Sequence, residues 1–123
     1  ADELLPIAEM LQLMRFVELM EGDIVLTEAG RRFVTMNVDA RKDLFADHLL
    51  AYVPLAGHIR RVLQERPDHR ASLSRFREEL EDYMAPDHAE TTLKAVVAWA
   101  RYAEVFTYID PISALELTAA QVM

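Results

Sequence analysis

The run Gly22-Asp23-Ile24-Val25-Leu26-Thr27 leaves few options for the chain around it. Gly22-Asp23 is a break signal, and Ile24 to Leu26 is too short and too β-branched to be helix. Thr27 stands where an N-cap belongs, its hydroxyl able to accept from a backbone N–H at the start of a helix through Phe33 and Met36. Gly30, near the start of that helix, weakens it. The segment before the break, Leu4 to Met20, is apolar almost all round and is expected as a long helix sandwiched between other elements. Long helix, brief strand, capped helix is the resulting order.

Further along, Asp39 can cap a helix whose face Phe45, His48, Leu49, Tyr52 follows the i, i+3, i+4, i+7 spacing. Pro54 ends that helix or opens the next, whose face is Leu55, Ile59, Val62, Leu63 and which Pro67 stops. Ser72 or Ser74 can cap a helix burying Leu73, Phe76, Leu80, Tyr83 and Met84. After Pro86, Asp87 as N-cap with Glu90 at N3 makes an acidic capping box. The helix that follows buries Ala89, Leu93, Val96, Val97 and Ala100. Val105 to Ile109 and Ala114 to Thr118 then read as two strands around Asp110-Pro111, with Pro at the second turn position.

The predicted fold class is mainly α with short β-hairpins. Helices followed by a wing hairpin make it winged-helix-like, as two tandem units in one compact domain: a partial unit over 1–53 and a fuller one over 54–123. The chain opens on Ala1 inside a helical pattern, so it is read as a C-terminal fragment of a longer polypeptide.

Composition and charge exclude several classes. With 52% hydrophobic and 28% charged residues, the chain can build a core. It has no Cys, hence no disulfide and no thiolate metal site, which fits a reducing compartment. Asp2 and Glu3 occupy the place of a basic signal-peptide n-region. Glu9, Arg15 and Glu18 interrupt the most apolar segment, which excludes a membrane span there. The net charge of −8 is uneven. Residues 1–30 hold seven acids against Arg15 alone, whereas residues 58–77 hold six arginines against Glu65 and Asp68. That basic stripe is either a solvated helix face or a docking surface for an acidic partner.

With three Gly in all, there is no glycine-rich phosphate cradle. Ser72, Ser74 and Ser113 lack a nucleophile-elbow context. The pairs Asp47-His48, Asp68-His69 and Asp87-His88 point apart on a helix, so they do not converge on one metal ion. His48 shares a face with Phe45 and Leu49 and is expected as a hydrogen-bonded histidine at the core edge. The helix before each wing would be the one to read DNA, but Asp2, Glu3, Glu9 and Glu18 face Arg15 in the first unit. In the second, Asp87, Glu90 and Glu104 face Lys94 and Arg101. Phosphate neutralisation needs the opposite balance, which speaks against nucleic acid as partner.

Several runs, in this order and spacing, resemble one family. They are Leu4-Leu5-Pro6, Gly22-Asp23-Ile24, Leu26-Thr27, Gly30-Arg31-Arg32-Phe33, Arg41-Lys42 with Leu44-Phe45, and Pro54-Leu55. They continue with His58-Ile59-Arg60-Arg61-Val62-Leu63, Phe76 with Glu79-Leu80-Glu81, and Trp99-Ala100-Arg101-Tyr102-Ala103-Glu104. The chain resembles the AAA-associated C-terminal domain that follows the ATPase domain in ABC importer subunits of the nitrate/sulfonate/taurine/bicarbonate type. The resemblance implies a regulatory accessory domain that is not itself an enzyme and holds no cofactor or metal. ATP and Mg would bind in an upstream domain that drives uptake of a small anion. It implies a cytoplasmic location, peripheral to the inner face of the membrane through the transporter complex, without direct insertion. The partners implied are the ATPase domain of the same polypeptide, the transporter's membrane subunits and a second copy. The candidate docking surface is Arg60, Arg61, Arg66, Arg70, Arg75 and Arg77. Two other readings stay open: a winged-helix DNA-binding transcriptional regulator, and a small-ligand sensor using a cavity between the two units.

Overall fold

A hairpin with a two-residue turn, rather than one long helix, leads into the first helices of the molecule. The computed structural model describes residues 11–110 and 112–122. Strand β1 (Val17–Met20) pairs antiparallel with β2 (Asp23–Leu26). The turn residues Glu21 and Gly22 both have positive φ, 52° and 87°, the mark of a type I′ turn whose twist matches that of the strands.

This corrects the expected helix from Leu4 to Met20. Its first seven residues, like Asp2 and Glu3, lie outside the described residues. The helical stretch over 11–13 stops because Arg15 adopts a left-handed conformation (φ 68°). The Phe16 N–H then donates back to the Leu11 carbonyl at 2.9 Å and the Arg15 N–H to the Gln12 carbonyl at 3.0 Å. That pair of bonds is a Schellman motif built without glycine. The apolar residues beyond it, which fit a helix by composition, are used in the strand.

Helix α1 (Glu28–Thr35) starts as expected at Thr27, whose hydroxyl accepts from the Gly30 N–H at 3.0 Å. The same hydroxyl donates to the Arg15 carbonyl at 2.6 Å, and the Thr27 N–H donates to the Phe16 carbonyl at 3.0 Å. One residue thus ties the helix start to the root of the hairpin. Gly30 is buried, and a Cβ there would stand 2.0 Å from the Phe16 carbonyl oxygen. Its place in the helix follows from close backbone approach. Helix α2 (Val38–Tyr52) is capped by Asn37, whose side chain accepts from the Ala40 N–H at 2.9 Å. Asp39, expected as the cap, sits instead in the first turn, where its charge complements the helix dipole. Arg41 donates to the Phe33 and Val34 carbonyls near the end of α1.

The core of this part is aromatic. Phe16 lies against Phe33 at 5.2 Å, Phe45 at 6.1 Å and His48 at 4.5 Å between ring centroids. Nδ1 of His48 is 2.6 Å from the Met14 carbonyl oxygen, which can only accept, so that nitrogen carries the proton. His48 is the core-edge histidine that its helix face suggested.

The chain divides into two compact units, residues 1–54 and 55–123. In the second, helix α3 (Pro54–Glu65) opens on its proline and buries Ala56, Ile59 and Leu63. Strand β3 (Arg70–Ser72) follows, then α4 (Leu73–Glu81), α5 (Pro86–Tyr102), β4 (Thr107–Ile109), β5 (Ala114–Glu116) and the short α6 (Ala119–Val122). The strands form a three-stranded antiparallel sheet in the order β3-β5-β4, with Ala71 opposite Leu115 and Leu115 opposite Tyr108. Strand β3 has no counterpart in the sequence reading. The turn place given to Pro111 lies outside the described residues.

Two further expectations are corrected. Pro86 is not a separator but the first residue of α5, with Ala85 in the N-cap position; Asp87 is therefore inside the first turn and not a cap. Helix α4 buries Phe76 and Leu80 but ends at Glu81, so Tyr83 is exposed and Met84 half-buried. The buried face of α5 is the expected one: Ala89, Leu93, Val96, Val97 and Ala100. Helix predominates among the described residues, with two small antiparallel sheets, in keeping with the mainly α class with short hairpins. None of the described helices is long and apolar enough to cross a membrane.

Candidate docking surface

The six arginines of the basic stripe come from α3, β3, α4 and the loop between α3 and β3, and they divide into three kinds. Arg60 is a strut of the fold. Its guanidinium donates to the Val105 carbonyl at 3.0 Å and the Gln121 carbonyl at 2.9 Å. Gln121 is itself held from both sides: its amide oxygen accepts from Thr118 N–H and Thr107 Oγ1, and its amide nitrogen donates to the Glu104 carbonyl. Arg60 thereby fastens α6 and the entry to β4 onto α3. A charged donor satisfied by two carbonyls contributes about 1–3 kcal/mol.

Arg70, Arg75 and Arg77 are paired with acids. Arg70 Nε and Nη2 both reach Glu116 Oε2, at 3.0 and 2.6 Å, across the β3–β5 ladder where the two residues are direct partners. Arg75 lies 3.6 Å from Glu79, and Arg77 4.0 Å from Glu81, each one turn along α4. Glu79 also takes His58 Nε2 at 3.0 Å, which joins α3 to α4. These are surface pairs, each worth about 0–1 kcal/mol. Their acids lie outside the window in which the stripe was counted, Glu79 and Glu81 just beyond it and Glu116 far along the chain, so much of its charge is balanced in the fold.

Arg61 and Arg66 are the remaining two. Arg61 is exposed and Arg66 half-buried, and neither guanidinium has a hydrogen bond or ion pair among the described residues. They leave α3 and the loop after it with one cation each to meet an anionic group on a partner.

Two depressions mark the second unit. A cleft of about 560 Å³ is walled by Arg60, Arg101, Glu104, Phe106 and Gln121, among others. A second, of about 340 Å³, has an apolar floor including Leu93 and Val97 and a rim of Arg77, Lys94, Arg101 and Glu90. Arg101 stands over the Tyr108 ring at 5.7 Å, so that β4 positions it at the rim. Sequence reasoning counted Lys94 and Arg101 only as charges on an acidic helix. Their spacing through Ala98 (i, i+4, i+7) puts them on one face with Glu90, and that spacing was the available signal.

In the described residues no group of three or more His, Asp and Glu could hold a metal ion. A family model described as the C-terminal AAA-associated domain matches residues 1–109. Comparison with curated proteins and with solved structures gave no match.

Proposed function

Because the chain belongs to the family of C-terminal AAA-associated domains, we propose that it is a non-catalytic regulatory domain of an ABC importer's ATPase subunit, docking on the ATPase domain. The family match carries this reading. In it, ATP and Mg bind upstream, the parent polypeptide drives uptake of a small anion, and the domain lies on the cytoplasmic side against the transporter's membrane subunits. The order of elements in the second unit (helix, strand, two helices, hairpin) supports describing it as winged-helix-like, a fold used chiefly to present surfaces to partners. Arg61 and Arg66 are the parts of the stripe best placed to take an acidic patch of the ATPase domain, since the other four arginines are engaged within the chain.

Regulation of this kind acts by favouring one of two conformations of the transporter, and it needs contacts that differ between them. The test is to remove residues 1–123 from the parent polypeptide and measure ATP hydrolysis and anion uptake over a range of anion concentrations. A changed dependence of hydrolysis on the transported anion is expected, and Arg61→Glu with Arg66→Glu should reproduce part of it. Identical rates at every concentration would sink the regulatory reading.

A further inference from the structure

The larger cleft of the second unit holds two guanidinium groups that no acid among the described residues pairs with. Arg60 enters it from α3 and Arg101 from the last turn of α5. A guanidinium has five N–H donors, and Arg60 spends one from Nη1 on the Val105 carbonyl and one from Nη2 on the Gln121 carbonyl. Those carbonyls fix where the half-buried group stands but are neutral, so its charge and three of its donors remain. Arg101 is exposed and lies over the Tyr108 ring at 5.7 Å. Its guanidinium has no hydrogen bond or ion pair among the described residues.

The two threonines of the wall complete the pattern. Thr118 Oγ1 accepts from the Gln121 N–H at 3.4 Å, so its own proton can be donated to a ligand. Thr107 Oγ1 has already donated its proton to the Gln121 amide oxygen and can only accept, which suits a hydroxyl group. Glu104 is on the same wall, so the two arginines leave a net of one positive charge. That balance suits one oxyanion group rather than a polyanion. At about 560 Å³ the cleft has room for more than the anionic group itself. We propose that it binds the phosphate or carboxylate group of a small hydroxylated metabolite, with Arg60, Arg101 and Thr118 donating to the oxygens and Thr107 accepting from a hydroxyl. Charge-assisted bonds of this kind are the strong ones, and Arg60 needs no reordering to make them because the fold already holds it. Such a site serves whether or not the domain regulates an ATPase, and it does not involve Arg61 or Arg66.

An NMR titration of the isotope-labelled 123-residue chain tests it, with inorganic phosphate, acetate, glycerol phosphate and glycerate at an ionic strength held constant with sodium chloride. Saturable shifts are expected at the Nε–H signals of Arg60 and Arg101 and at the Thr118 amide. The hydroxylated anion should bind more tightly than its bare counterpart, and the tighter of the two series tells phosphate from carboxylate. Arg101→Gln, with the fold unchanged by circular dichroism, should weaken binding by about tenfold or more. Arg61→Gln, which removes a cation outside the cleft, should leave it unchanged. Arg60→Gln should lower the melting temperature through loss of the strut and also abolish the rise that the tightest of these anions gives the wild type. Shifts that climb without saturating for every anion overturn the proposal. So does an Arg101→Gln chain that binds as tightly as the wild type, or an equal loss on Arg61→Gln, since either places the anion elsewhere.

Discussion

The two hairpins of this chain, with four residues a strand in the first and three in the second, are put to opposite uses. Strands β4 and β5 are joined by β3 into a three-stranded sheet, and Ala114 and Leu115 are buried. Strands β1 and β2 have no third strand among the described residues, and only Val17 at their root is buried. In the second hairpin, apolar side chains do the work of folding. In the first, the same kind of side chain adds little to the fold.

The largest expected effect separates the two directly. Leu115→Ala removes a fully buried side chain and should cost about 3 kcal/mol in urea unfolding. Leu19→Ala should stay within about 0.5 kcal/mol. Equal costs would erase the distinction drawn between the hairpins. A smaller but still large effect is expected at the root of the first hairpin. Gly30→Ala places a methyl group 2.0 Å from the Phe16 carbonyl oxygen, so backbone must move, at about 2 kcal/mol by thermal or urea melting. A cost below that of an ordinary surface change would show that α1 is not seated on the hairpin root. The smallest effect should be a gain: Glu21→Asn, at a left-handed position of a type I′ turn, raises stability by a few tenths of a kcal/mol. No rise in melting temperature would mean that the turn does not limit this hairpin.

Much of the helical fold was legible because its signals are local. The face of α5 follows from its own spacing, and the cap at Thr27 from a hydroxyl placed before a helical run. The end of the first helical stretch was not legible, since a left-handed Arg15 looks like any helix residue and the chain carries no glycine there. Glu104 repeats the device after α5: φ is 60°, with the Val105 N–H bonded to the Ala100 carbonyl and the Glu104 N–H to the Arg101 carbonyl. Strand β3 is three residues long and exists through pairing with residues 114–116, far along the chain. The docking stripe was legible as charge but not as commitment. The pairs within α4 could be read from i, i+4 spacing, whereas the Arg70–Glu116 pair and the Arg60 strut depend on contacts that only the folded chain creates.

The attachment of the first hairpin has a mechanical consequence. Val17 is sunk in the core, the Phe16 carbonyl is held by the Thr27 N–H, and the Arg15 carbonyl by the Thr27 hydroxyl. Beyond that clamp the ribbon continues for about four residues, roughly 13 Å at the rise of a strand, with no third strand beside it among the described residues. It is a short cantilever, stiff at its base, and the Leu19–Ile24 pair near its tip is presented at a set height and angle. Partners that close on such an arm lose little conformational entropy in ordering it.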